Sequence, residues 1–242
     1  MTDPQLTHIE FILDRSGSMA SIKGDIEGGF DSFVAGQRSA PGRCTVSLAQ
    51  FDDHYEVVYT DLPLADVPAL TLQPRGSTAM LDAIGRSMTT LGQRLAALPE
   101  DARPGTVIVA IVTDGLENAS REWTRPAIKA LIEHQSRGYS WQFLYLGADQ
   151  DAVEVGTGMG IPADRALTYS RGNSRVAMAA GAAMVSGLRS AKASGQPFAH
   201  IGFSDSDRTA AVDDGDTPDG EASPSTAHGI RLPPGRFGHG RA

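Results

Sequence analysis

Apolar residues over positions 1–197 follow two alternating periods. Short runs rich in β-branched residues, at 8–13, 44–51, 55–60, 106–113, 141–146 and 166–169, predict strands. Between them, apolar positions recur at spacings of three and four, the mark of helices packed by one face. Ile22, Ile26, Phe30, Phe33 and Val34 define the first such face, and Leu81, Ile84, Met88, Leu91 and Leu95 the second. Trp123, Ala127, Ile128 and Leu131 predict a third helix. Ala152, Val153 and Val155 predict a short one that glycines interrupt, and Asn173 stands where it would cap a last helix bearing Val176, Ala180, Met184 and Leu188. Strand–helix alternation of this kind predicts an α/β, doubly wound, mostly parallel six-stranded sheet of order 3-2-1-4-5-6 with helices on both faces. The fourth run, TVIVAIVT, is almost wholly apolar, which suits a central strand. Only Asp52, Asp53 and His54 separate the second run from the third, too few for a crossover, so the third is expected as an antiparallel edge strand.

The pattern fades near residue 197. Seven acidic residues fall between 205 and 221, and a Gly- and Pro-rich stretch follows. With so little apolar surface to offset ordering entropy, 198–242 is expected to be a disordered tail beside a domain over 1–197. Charge narrows the partners. With 29 acidic against 21 basic residues and a net charge of −8, the chain repels a phosphate backbone, so nucleic acid is excluded as a partner. The single cysteine, Cys44, is expected as a buried apolar residue. The first residues lack a basic and apolar leader pattern, and no stretch has the composition of a membrane span, from which a cytoplasmic location is expected.

The chemistry concentrates at strand ends. The first strand runs into FILDRSGSM, placing Asp14, Ser16 and Ser18 at alternate positions where open parallel sheets bind ligands. A second carboxylate, Asp114, ends the central strand in VTDG. Thr78 precedes the second helix in GSTAMLDAI, as cap, as ligand or as both, with Gly76 allowing a tight approach. All five side chains offer oxygen, the donor that hard cations such as Mg²⁺ prefer. Other polar residues have plainer readings: Asp82 as a first-turn acid, Asp52 and Asp53 as turn acids, Glu117 and Asn118 as caps of the following helix. The six histidines lack metal-ligand spacing, and neither Ser16 nor Ser77 lies in the G-x-S-x-G of a hydrolase.

DRSGSM, then GST before LDAI, then VTDG together resemble the von Willebrand factor A-type domain and its metal-ion-dependent adhesion site. The likeness runs over about 8–188, and TDGLENASREWT followed by FLYLGADQDA is similar to small stand-alone bacterial members. The resemblance implies that Ser16, Ser18 and Thr78 contact Mg²⁺ or Mn²⁺ through their hydroxyls, while Asp14 and Asp114 act directly or through water. It further implies that a Glu or Asp carboxylate of a protein partner completes the metal shell, so that the site binds and does not cut. Met19, Met80, Leu116 and Asn118 are expected around its rim. Two alternatives stand beside this reading. One is a scaffold that uses the helical surfaces without metal. The other is an Mg²⁺-dependent aspartyl-phosphate phosphatase with Asp14 as nucleophile, although that chemistry usually pairs the nucleophile with an acid two residues on, where this chain has Ser16.

Overall fold

Side-chain alternation along the strands decides how the layers assemble. In β1 (Asp3–Asp14), Ile9, Phe11 and Leu13 enter one apolar cluster and Ile12 the other; in β4 (Pro104–Thr113), Ile108, Ala110 and Val112 oppose Val107, Val109 and Ile111 in the same way. Both strands therefore need cover on two faces. The computed structural model describes residues 1–198 and 201–213. With β2 (Arg43–Phe51), β3 (Tyr55–Pro63), β5 (Gln142–Ala148) and β6 (Ala166–Tyr169), they form one sheet of order β3-β2-β1-β4-β5-β6. Every pairing is parallel except β2 with β3, as the three-residue connection requires.

One face is covered by α1 (Lys23–Arg38) and α5 (Ser174–Ala193), the other by α2 (Met80–Ala97), α3 (Arg125–Tyr139) and α4 (Ala152–Gly158). Phe11 packs edge-on against Phe30 and Phe33 of α1, each at 4.9 Å between ring centres, which fixes that helix on the sheet. α1 and α5 cross closely because residue 29 is glycine: a Cβ there would lie 2.9 Å from the Met178 side chain. β1 has β2 on one side and β4 on the other, so chain connections leave it in opposite directions and open a crevice at the carboxyl ends of β1 and β4. Among the described residues no helix is long and apolar enough to cross a membrane.

Three expectations need correction. Trp123 does not belong to α3, which starts at Arg125 behind a Thr124 cap. Its ring instead lies over α2, so close to Gly85 that a Cβ there would overlap it. Asn173 does stand at the N-cap position of α5, but its side chain makes no capping bond there; its Nδ2 donates instead to the Asp213 carbonyl at 2.9 Å. The expected tail begins too early. Phe203 is buried, Ser204 opens a capping box with Asp207, and α6 (Asp205–Val212) packs against β6 and α5 with Ala211 wholly buried. The rest of that expected tail, 214–242, lies outside the described residues.

Candidate metal centre

Asp14 is the last residue of β1 and is completely buried. Its Oδ1 accepts the Ser16 amide at 2.6 Å and its Oδ2 the Thr113 hydroxyl at 2.5 Å, so β1 and β4 are joined at their tips. Burial pushes the Asp14 carboxyl up to about 6, against the pull of those hydrogen bonds, and the neighbouring Asp114 charge pushes the same way. A 3-10 turn over Gly17–Ser21 then lifts the chain, with Met19 plugged into the core. That turn leaves the Ser16 and Ser18 hydroxyls 3.1 Å apart, and the Ser18 hydroxyl donates to Asp114 Oδ1 at 2.7 Å. Ser16 is buried and Ser18 is exposed, so the hydroxyl pair runs from the interior to the surface.

Thr78 reaches the same place from the third loop. Its amide donates to Asn118 Oδ1 at 2.9 Å, and the Asn118 amide donates back to the Thr78 carbonyl at 3.1 Å. Gly115 leaves room between the groups: a Cβ there would stand 3.1 Å from Thr78 Oγ1 and 3.7 Å from Ser18 Oγ. Gly76, at φ +68°, turns this loop so that its carbonyl accepts the Gly17 amide at 3.2 Å. The structure thus brings Asp14, Ser16, Ser18, Thr78 and Asp114 to one point on the carboxyl edge of the sheet.

The donor set fits a hard divalent cation. Asp114 Oδ2 is buried and accepts no hydrogen bond among the described residues, although an Arg171 guanidinium nitrogen stands 3.4 Å away. A buried carboxylate oxygen without a donor is costly, and a cation relieves that cost. The two carboxylates match its charge, and the hydroxyls add oxygen without adding charge.

Several residues act otherwise than the sequence suggests. Asp52 is no ordinary turn acid. It is completely buried, and its carboxylate accepts Arg15 Nε at 2.9 Å, Arg75 Nε at 2.8 Å and the His54 amide at 2.6 Å. Burial alone would raise its pKa, but the Arg75 bond, the His54 amide and Arg15 outweigh it and hold Asp52 at about 2. This cluster ties the loop after β1 to the loop that carries Thr78. With the Asp53 and His54 side chains, Asp52 forms an acidic group that could hold an ion, yet its carboxylate is already committed to two arginines. Glu117 and Asn118 cap no following helix. Glu117 Oε2 accepts the Leu81 amide of α2 at 2.9 Å, and Asp82 accepts the amides of Arg121, Glu122 and Trp123 in return. Of the expected rim residues, Leu116 is 63% exposed, whereas Met19 and Met80 are buried and form no rim.

No protein-family model and no curated protein matches this chain. Solved structures do match its fold. Proximal thread matrix protein 1 from the mussel byssus superposes with a TM-score of 0.55 at 16% identity, over 76% of this chain and 47% of that one. The same mussel protein with a zinc-occupied MIDAS motif gives 0.53 at 14% identity, over 76% and 47%. The vWF domain of the type V pili tip protein Mfa5 from Porphyromonas gingivalis gives 0.51 at 10% identity, over 74% of this chain and 94% of that domain. The chain has the von Willebrand factor A-type fold. It spans about half the length of the mussel chain, so the likeness covers the A-type fold and leaves the rest of that protein unmatched. In this A-type fold the five oxygen-bearing residues lie at the crevice where the strand order reverses.

Proposed function

We propose that the chain is a divalent-metal-dependent protein-binding module. Asp14, Ser16, Ser18, Thr78 and Asp114 would hold Mg²⁺ or Mn²⁺. The observation that carries this reading is the buried Asp114 Oδ2, without a hydrogen-bond donor among the described residues, next to hydroxyls that converge from two further loops. When bound, such a cation supplies a position that favours an anionic oxygen, here a Glu or Asp carboxylate of a partner protein. Support comes from the zinc-occupied motif of the mussel protein and from the pilus tip domain, which share the fold. The chain's own residues divide the work. Ser18 and Leu116 face solvent at the mouth, Asp14 and Thr113 brace β1 against β4, and the Asp52 cluster holds the Thr78 loop in place. The contact at the ion is small, so affinity depends on what the flanking surface adds.

A hydrolytic role for Asp14 is disfavoured by its surroundings. Both of its oxygens are engaged and the residue is buried, whereas a nucleophile must reach a substrate phosphorus. Capture of partner proteins on immobilised chain, in Mg²⁺ and in EDTA, tests the proposal. Capture lost in EDTA and in Thr78→Ala supports it. Equal capture in both buffers replaces it with the metal-free scaffold, and Mg²⁺-dependent release of phosphate from a phosphatase substrate replaces it with the enzyme.

A further inference from the structure

Among the described residues, Arg171 is the one basic side chain found against the side chains of the five-residue cluster. It opens a 3-10 turn, Arg171–Asn173, at the start of α5, and its backbone is held firmly: the Ser174 hydroxyl donates to the Arg171 carbonyl at 2.7 Å. The same turn is tied to the α6 segment, since the Ser170 amide donates to the Ala211 carbonyl at 2.9 Å and Asn173 Nδ2 to the Asp213 carbonyl. From this fixed base the guanidinium spans two carboxylates. Nη2 lies 3.4 Å from Asp114 Oδ2 and 3.3 Å from the Asp114 carbonyl, and Nη1 lies 3.3 Å from Asp149 Oδ2. The Asp114 atom that it faces is the same oxygen that accepts no hydrogen bond among the described residues. Both contacts are longer than a well-formed charge-assisted bond, which falls near 2.8 Å.

We infer that Arg171 is the resident cation of the metal-free site, a displaceable lock that lowers metal affinity. The inference rests on the metal-binding reading above. A divalent ion held by Asp114 and a guanidinium 3.4 Å from its Oδ2 repel each other, so loading the ion favours withdrawal of the guanidinium. Asp149 gives it somewhere to go. That residue is held in a left-handed conformation, φ +48°, by the bond from its amide to the Tyr169 carbonyl at 3.0 Å, and its carboxylate is about half exposed. With Arg171 retracted onto Asp149, a fork of N–H donors stands beside the mouth of the site. The exposed carboxylate of the partner would meet that fork next, which couples metal loading to the positive charge available for an acidic partner.

The test uses the full chain and Mn²⁺ as probe, with dissociation constants from calorimetry and melting temperatures with and without the ion. Arg171→Gln is expected to bind Mn²⁺ about fivefold more tightly than the wild type. Its metal-free form is expected to melt lower, because Asp114 loses its counter-charge, and its Mn²⁺-induced rise is expected to be larger. Arg171→Lys keeps the charge and loses the two-armed fork; tighter Mn²⁺ binding in this variant supports the bridging geometry, and wild-type affinity overturns it. A lower melting temperature of Arg171→Gln both with and without Mn²⁺, at unchanged affinity, means a merely structural role and sinks the lock. If Asp114→Asn abolishes Mn²⁺ binding while Arg171→Gln leaves it unchanged, the metal site stands and the lock alone falls. Absence of Mn²⁺ binding in wild type and Arg171→Gln alike removes both.

Discussion

Asp14, at the end of β1, and Asp52, just after the end of the neighbouring β2, are buried carboxylates at the same edge of the sheet, and their surroundings are opposite. Asp52 meets two guanidinium groups and an amide, and sits at about 2. Asp14 meets an amide and a hydroxyl, both neutral, beside a second carboxylate, and burial takes it to about 6. The first cluster is electrostatically complete within the chain. The second is short of positive charge, with Arg171 approaching only Asp114 and only at 3.4 Å. A closed ion-pair cluster can serve as a strut, and a site short of positive charge can serve as a receptor for a cation. Both carboxylates are shielded from solvent, and what separates them is the charge of their partners together with the deeper burial of Asp14.

The largest effect expected from that contrast is on the strut. Asp52→Asn removes the charge that Arg15 and Arg75 share, leaving buried Arg15 with the half-exposed Glu56 carboxylate at 2.6 Å, and should cost about 3 kcal/mol of stability, equally with and without Mg²⁺, as measured by denaturant unfolding. An equal loss for Asp14→Asn in the metal-free protein would erase the distinction. The same strut sets an acid limb. Because the folded pKa of Asp52 lies below its ordinary value of 3.8, its stabilising contribution is full above about pH 4 and drains away as the pH falls from 3.8 toward 2. Asp52→Asn should flatten that part of the stability profile. Next in size is metal stabilisation: Mg²⁺ at a hundred times its dissociation constant should add about 2.7 kcal/mol to the wild type and nothing to Asp14→Asn, read as a melting shift. Smallest is Thr78→Ala, which should weaken Mg²⁺ binding about tenfold, or about 1.4 kcal/mol, by calorimetry, with unfolding in EDTA nearly unchanged.

Much of the A-type fold can be read in the chain because its signals are local. The almost wholly apolar run of β4, the short hairpin before β3 and the oxygen-rich strand ends each predict their place without knowledge of distant partners. What escaped depends on contacts far apart in sequence. The acids at 52 and 53 look like any hairpin tip, and only folding brings Arg15, 37 residues earlier, onto the first of them. The start of α2 is capped by Glu117 and Ser120 from a loop more than thirty residues later, which no window around Met80 reveals. α6 was hidden by composition. Its acids are what an ordinary first turn favours, and Ala211 within it, with Phe203 just before its cap, suffices once β6 and α5 supply the opposite wall.

The direction of β1 carries a practical consequence for handling the molecule. The strand enters at Asp3, whose amide is bonded to the Arg103 carbonyl, and leaves at Asp14 beside the cluster. Twelve residues of strand separate these ends by about 36 Å, the full height of the sheet. Asp213 by contrast lies against Asn173, two residues from Arg171. A chain anchored to a support through its first residues therefore displays the crevice outward, while a bulky group attached just after residue 213 stands at the mouth and competes for the space that a partner would occupy.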